Sequence, residues 1–135
     1  MSGMTTQERI ERWLARSGDV VFVRTDFKRF GGYDQVGRAL RAVLKKGLLV
    51  RAGYGIYVKA RPSGITGEPV PVLSLVEIGL QALSKLGVEA DLGRSAKAYM
   101  ARRTTQMPMA TVLNVGKSRV SRRIGFGKQC VRYEK

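Results

Sequence analysis

TDFKRFGGYDQVGRALRAVLKKGLLVRAGYGIYVK, residues 25–59, is the stretch whose reading decides the fold. It predicts a short helix, a Gly31-Gly32 turn, a longer basic helix and a two-stranded ribbon, in that order. The longer helix should run from about Asp34 to Lys46. Val36, Ala39, Leu40 and Val43 fall at i, i+3, i+4 and i+7 and make one apolar stripe. Asp34, Gln35, Arg38, Arg41 and Lys45 point away from it. Asp34 sits in the first turn and Lys45-Lys46 in the last, as the helix dipole prefers. Gly47 follows as the residue best able to take a left-handed cap conformation. Leu48-Leu49-Val50 and Ile56-Tyr57-Val58 are short β runs with Gly53-Tyr54-Gly55 as the tight turn between them.

Helix, turn, helix and ribbon in this order match the winged helix-turn-helix plan, which sets its second helix in a DNA major groove. An amphipathic helix beside a surface hairpin, with solvated lysines and arginines, would also satisfy the pattern. The order of parts together with the charge favours the winged helix.

That charge is large. Among 135 residues, Lys and Arg number 25 against 10 Asp and Glu, a formal charge of +15. Residues 1–62 hold 13 against 5 and residues 63–135 hold 12 against 5, so both halves are basic at +8 and +7. Such an excess favours a polyanion, because cation contacts release counterions from nucleic acid. No apolar run approaches the ~20 residues of a membrane-spanning helix, and the N-terminus lacks the apolar region of a signal peptide. The expectation is therefore a cytoplasmic protein without a membrane partner. The single cysteine, Cys130, excludes an intramolecular disulfide, and there is no histidine. Metal ligation and acid/base catalysis at neutral pH would lack their commonest group. No catalytic residue, metal or cofactor is expected.

Working outward, Thr5-x-x-Glu8 is a capping box that opens a first helix with Ile10, Trp13 and Leu14 inward and Ser17-Gly18 at its end. Trp13 reads as core. Val20–Val23 should be a strand that joins the ribbon as a third member. Thr25 or Asp26 can cap the next helix, with Phe27 and Phe30 as anchors. Gly31-Gly32 turns the chain, since residues without Cβ accept positive φ. Proline and glycine density from Pro62 to Pro71 marks a linker. The expected division is a winged helix-turn-helix domain at 1–62, a linker at 63–73 and a small domain at 74–135.

In the second half, Ser74-x-x-Glu77 opens a helix carrying Leu75, Val76, Ile78, Leu80, Leu83 and Leu86 and stopping at Gly87. A short helix should cover Ser95–Ala101, with Tyr99 and Met100 inward and Arg102-Arg103 after it. Thr104–Gln106 reads as loop, and Pro108 forbids a central strand there. Thr111–Val115, Val120–Phe126 and Gln129–Tyr133 read as strands with turns at Gly116 and Gly127. They predict an antiparallel meander with one solvated basic face. The fold class expected is α+β: a winged helix-turn-helix followed by a small helix-plus-antiparallel-sheet domain.

GYDQVGRALRAVLKKGLLVRAGYGIYVKA, then SLVEIGLQALSKLGVE, then TTQMPMATVLNV together resemble the AbiEi family of type IV toxin–antitoxin antitoxins, and more narrowly its short winged-helix branch. The resemblance spans nearly the whole chain. It implies an N-terminal winged helix that binds inverted repeats in its own promoter. It also implies a C-terminal part linked to neutralising a nucleotidyltransferase-like toxin.

Other chemistry is less well supplied. Gly116-Lys117-Ser118 has the end of a P-loop, but the full pattern needs glycine at position 111, where Thr111 stands. A hairpin turn with a basic residue is the better reading. Cys130 has no histidine to activate it and reads as a small buried hydrophobe. Asp19, Asp26, Asp34, Glu77, Glu89, Asp91 and Glu134 form no recognisable catalytic pair. Arg119, Arg122, Arg123, Lys128 and Arg132 make the C-terminal strands basic, either as a second nucleic-acid surface or as a face for solvent or an acidic protein.

The expected function is sequence-specific binding of double-stranded DNA by a transcriptional regulator, an antitoxin-like autorepressor that pairs as a homodimer on inverted repeats. Gln35, Arg38 and Arg41 should meet base edges, since arginine suits guanine and glutamine adenine. Lys28, Arg29, Tyr33, Lys45 and Lys46 should hold the phosphate backbone. Arg51, Tyr54 and Lys59 should reach it from the wing. The alternatives are an RNA-binding protein that uses both basic surfaces, and an antitoxin acting mainly through a toxin partner.

Overall fold

The computed structural model describes residues 4–101 and 111–135. It is a mixed α+β protein of two compact units, Met1–Arg51 with Gly55–Val72 and Ala52–Tyr54 with Leu73–Lys135.

The first unit begins with α1, Thr6–Arg16. Thr5 caps it as its sequence predicts: the hydroxyl accepts from the Glu8 N–H at 3.1 Å, and the Thr5 N–H donates to the Glu8 carboxylate at 3.2 Å. Strand β1, Val21–Val23, leads into a 3₁₀ helix, Arg24–Phe30. Seven residues is long for this helix type, which stacks residues i and i+3. Phe27 and Phe30 have that spacing and are both buried. The helix starts one residue before the expected cap, and Asp26 acts backwards: the Val23 N–H donates to its carboxylate at 2.9 Å.

Helix α2, Tyr33–Lys45, follows the turn and buries Val36, Ala39, Leu40 and Val43. Its end has both hydrogen bonds of a glycine-capped terminus, Gly47 N–H to Leu44 C=O at 3.0 Å and Leu48 N–H to Val43 C=O at 3.3 Å. Gly47 takes φ +80° there. Strands β2, Leu49–Gly53, and β3, Ile56–Pro62, make the ribbon. β1 pairs antiparallel with β3, Val21 opposite Val58, and the sheet order is β1-β3-β2.

The core of this unit is aromatic. Trp13 meets Phe22, Phe27 and Phe30 with ring centroids 5.3, 5.7 and 5.6 Å apart, and Phe27 meets Tyr57 edge-on at 5.9 Å. Ile10, Leu14, Leu40 and Val43 pack into the same cluster, so α1 and the back of α2 share one support.

Residues 69–71, expected inside a linker, form strand β4. It pairs antiparallel with the end of β3, Ala60 opposite Pro71 and Pro62 opposite Pro69. Proline lacks the N–H for a second neighbour, so it is tolerated on this added edge strand. Ser63 closes the intervening turn, its N–H donating to Glu68 C=O at 2.8 Å.

In the second unit, α3 is Leu75–Lys85, with the Ser74 hydroxyl accepting from the Glu77 N–H at 3.4 Å. Gly87 at φ +82° and Val88 N–H to Leu83 C=O at 2.8 Å end it. Strand β5, Asp91–Leu92, precedes α4, Arg94–Met100. Tyr99 and Met100 do not point inward as expected: both are exposed. The expected Arg102-Arg103 end, the Thr104–Gln106 loop, Pro108 and the TQMP step lie outside the described residues.

The expected meander is also corrected. β6 is Val112–Asn114, β7 Gly125–Phe126, β8 Gln129–Cys130 and β9 Arg132–Glu134. β6 pairs antiparallel with β5 but parallel with β9, while β7 and β8 form a separate two-stranded hairpin. A parallel pair needs a long crossover, and residues 115–131 supply it. Residues 118–124 are irregular, so of the strand expected from Val120 to Phe126 only Gly125–Phe126 forms. The anchors of the crossover are the buried Ile124 and Val131, joined by Val131 N–H to Ile124 C=O at 2.8 Å. Cys130, expected to be buried, is exposed. Among the described residues no helix is long and apolar enough to cross a membrane.

Candidate nucleic-acid interface

Helix α2 lies with its apolar side in the aromatic core, and that fixes what it presents outward. Asp34, Arg38, Arg41 and Lys45 fall at i, i+4, i+7 and i+11 and are all exposed. Among the described residues no ion pair ties Arg38, Arg41 or Lys45. The stripe therefore opens with the acidic Asp34 and continues as three cations, Arg38, Arg41 and Lys45, on a helix packed against the core. Gln35 is exposed beside it, with its side-chain amide folded back over the turn: a Cβ built on Gly31 would lie 2.5 Å from its Oε1.

The residues expected on phosphates divide. Lys28 is exposed and borders a shallow cavity with Arg24, Thr25, Gly31, Gly32, Tyr33 and Val36. Tyr33 is 68% exposed. Arg29 lies with its guanidinium 4.9 Å from the centroids of both Trp13 and Phe30, a cationic cover on the aromatic core. Lys46 is paired with Glu11 at 3.0 Å. The Glu11 carboxyl is held below its ordinary range, first by the hydrogen bond from Gln7 and then by Lys46.

On the ribbon, Arg51 is exposed near the Tyr57 ring, 5.9 Å from its centroid, and Tyr54 is 79% exposed at the turn. Lys59 is half-buried and donates to Ser17 C=O at 2.8 Å, closing the end of α1. Arg29, Lys46 and Lys59 thus have internal partners that their sequence positions did not reveal.

Arg24 is the residue that sequence reasoning missed. Its Nη2 donates to the Tyr33 C=O, and its guanidinium stands 4.2 Å from the centroid of the Tyr33 ring. A Cβ on Gly37 would sit 3.3 Å from Nη2. Two sequence signals mark it. Arg24, Phe27 and Phe30 repeat every three residues, and Gly37 interrupts a helix that would be better formed by alanine.

In the second unit, Arg119, Arg122, Arg123, Lys128 and Arg132 are all exposed. The Arg122 C=O accepts from the Tyr133 hydroxyl, and within the same unit Arg122 Nη1 donates to the Tyr54 C=O at 2.7 Å. The acids nearby are engaged. Glu134 accepts from the Arg94 N–H at 2.9 Å, and Asp91 pairs with Lys97 at 2.7 Å. Burial pushes the Tyr133 phenol above its ordinary pKa, against the nearby Arg122 charge.

The profile of the DUF6088 family matches residues 7–135. The chain belongs to DUF6088. This is described as a family of unknown function. No curated protein matches this DUF6088 chain.

Proposed function

We propose that this DUF6088 chain is a winged helix-turn-helix protein that binds duplex DNA in a sequence-specific way and regulates transcription without catalysing a reaction. In this reading α2 enters the major groove and the β2–β3 ribbon is the wing. The observation that carries it is the exposed stripe Asp34, Arg38, Arg41 and Lys45, backed by the buried Val36, Ala39, Leu40 and Val43. Base readout needs side chains held at fixed spacing on a rigid element. Arg38, Arg41 and Gln35 are the readers; Lys28, Tyr33 and Lys45 take phosphates.

The resemblance to AbiEi antitoxins supports two extensions: a cytoplasmic autorepressor that binds inverted repeats as a pair of copies, and a nucleotidyltransferase-like toxin as protein partner. Two heads on one palindrome, with half-sites about 34–36 Å or a multiple apart, gain from effective concentration. A second reading, RNA binding, is favoured by the exposed cations Arg119, Arg122, Arg123, Lys128 and Arg132.

The test is selection of duplex DNA from a random pool, then gel retardation against structured RNA of equal length. The proposal expects an inverted repeat, tighter binding to it than to RNA, and two copies per repeat. Tighter binding to RNA would favour the second reading. One copy bound equally well to a half-site and to the repeat would remove the pairing.

A further inference from the structure

We infer that Arg24 is a positioning residue for α2, a clamp that sets the first turn of the helix without itself touching DNA. The DNA arm of this inference rests on the function proposed above; the clamp itself does not.

Arg24 opens the 3₁₀ helix, and its own N–H donates to the Gly55 C=O at 2.9 Å, so its backbone is fixed to the ribbon turn. Its side chain reaches the other way. One nitrogen binds the Tyr33 C=O at the start of α2, and the flat face of the guanidinium covers the Tyr33 ring. A carbonyl has two acceptor directions, so the Tyr33 C=O can serve Arg24 and the helix together. The remaining side of the guanidinium passes over Gly37, one turn on. Gly37 is buried, and a methyl group there would stand 3.3 Å from Nη2 and 3.8 Å from Nη1.

Arg24 therefore ties the ribbon turn, through its backbone N–H, to the first turn of α2, through its planar guanidinium. The requirement is planarity with several donors, which lysine cannot supply. The N-terminal cap residue of α2, Gly32, offers no side-chain cap, unlike Thr5 on α1 and Ser74 on α3. The clamp replaces that local restraint with one from another element. Arg38 lies one residue beyond Gly37, so the first turn sets its direction and hence the register of readout.

The test uses the full chain without DNA first. In Arg24→Gln, hydrogen exchange of the amides at 36–38 should quicken by about tenfold, while the amides of 42–45 keep their rates. Affinity for the selected duplex should then fall with the slope of log K against log salt unchanged. Unchanged exchange would overturn the clamp. So would a slope reduced by about one unit with unchanged exchange, the mark of a direct phosphate contact.

Should Arg24→Gln fail to fold, Gly37→Ala supplies the same decision. Alanine favours helix, so propensity alone slows exchange in the first turn. Displacement of the guanidinium predicts faster exchange there, and slower exchange would overturn the proposal. If the wild-type chain binds no duplex at all, the DNA reading falls, while the exchange result still decides the clamp.

Discussion

Helix α2 carries three cations and one acid, and the crossover segment Lys117–Arg123 four cations, on different supports. In α2 the cations stand on a regular helix whose other side is locked into Trp13, Phe27, Phe30 and Tyr57 through Leu40, Val43 and their neighbours. In the crossover, Lys117, Arg119, Arg122 and Arg123 stand on irregular backbone held at its end by the buried Ile124. The buried side chains of the second unit are aliphatic, among them Ile78, Leu83, Leu113 and Val131. A rigid row of cations can discriminate between base edges. A basic strap on irregular backbone provides attraction to phosphates and little discrimination.

The largest effect that would break this contrast is loss of the support under α2. Phe27 is fully buried against four other rings, Trp13, Phe22, Phe30 and Tyr57. Phe27→Ala should cost about 3–5 kcal/mol, and protection of α2 amides should collapse with it. Chemical denaturation followed by exchange of the α2 amides measures both. Loss of stability with α2 still fully protected would mean that the aromatic cluster is not its support.

A second change sharpens the contrast from the other side. Replacing Arg119 and Arg123 together by Ala should weaken binding to selected and random duplexes alike. The slope of log K against log salt should flatten by up to about two units, with the ratio of the two affinities unchanged. Titrations at several salt concentrations decide it. A changed ratio would give the crossover a part in sequence readout.

The smallest effect concerns the frame of α2. The depressed pKa of Glu11 means that its charged form is favoured in the folded state. Its contribution is therefore present above the ordinary carboxylate range and is lost as pH falls through the depressed folded value. For an exposed pair the contribution should be about 0.2–1 kcal/mol. Glu11→Gln should remove that part of the acid dependence. Identical stability profiles for the two proteins between neutral pH and acid would mean that the contacts of Glu11 with Gln7 and Lys46 add no stability.

The same contrast governs what could be read from the sequence. Period-3.6 stripes, capping boxes and glycine ends gave α1, α2 and α3 to within a residue or two, because each is a local signal. The ribbon and the added strand β1 followed from short β-branched runs. Tyr99 and Met100 were misplaced because a seven-residue helix has too few turns for periodicity to choose a face. Residues 120–124 continue the alternation without being a strand, since the parallel pairing of β6 with β9 is a long-range event that no local pattern encodes. At the candidate site, α2's exposed row was legible from spacing alone. The internal partners of Arg29, Lys46 and Lys59 were not, because each comes from a distant element: Trp13, Glu11 and Ser17.

The central claim, that α2 reads sequence, is met most directly by Arg38→Ala. Its affinity for the selected duplex and for a random duplex should be measured at one salt concentration, beside the wild type. The account predicts a loss of about 1–3 kcal/mol on the selected site and a much smaller loss on random DNA. Equal losses on both would contradict it, and would reduce Arg38 to a phosphate contact on a helix that does not read.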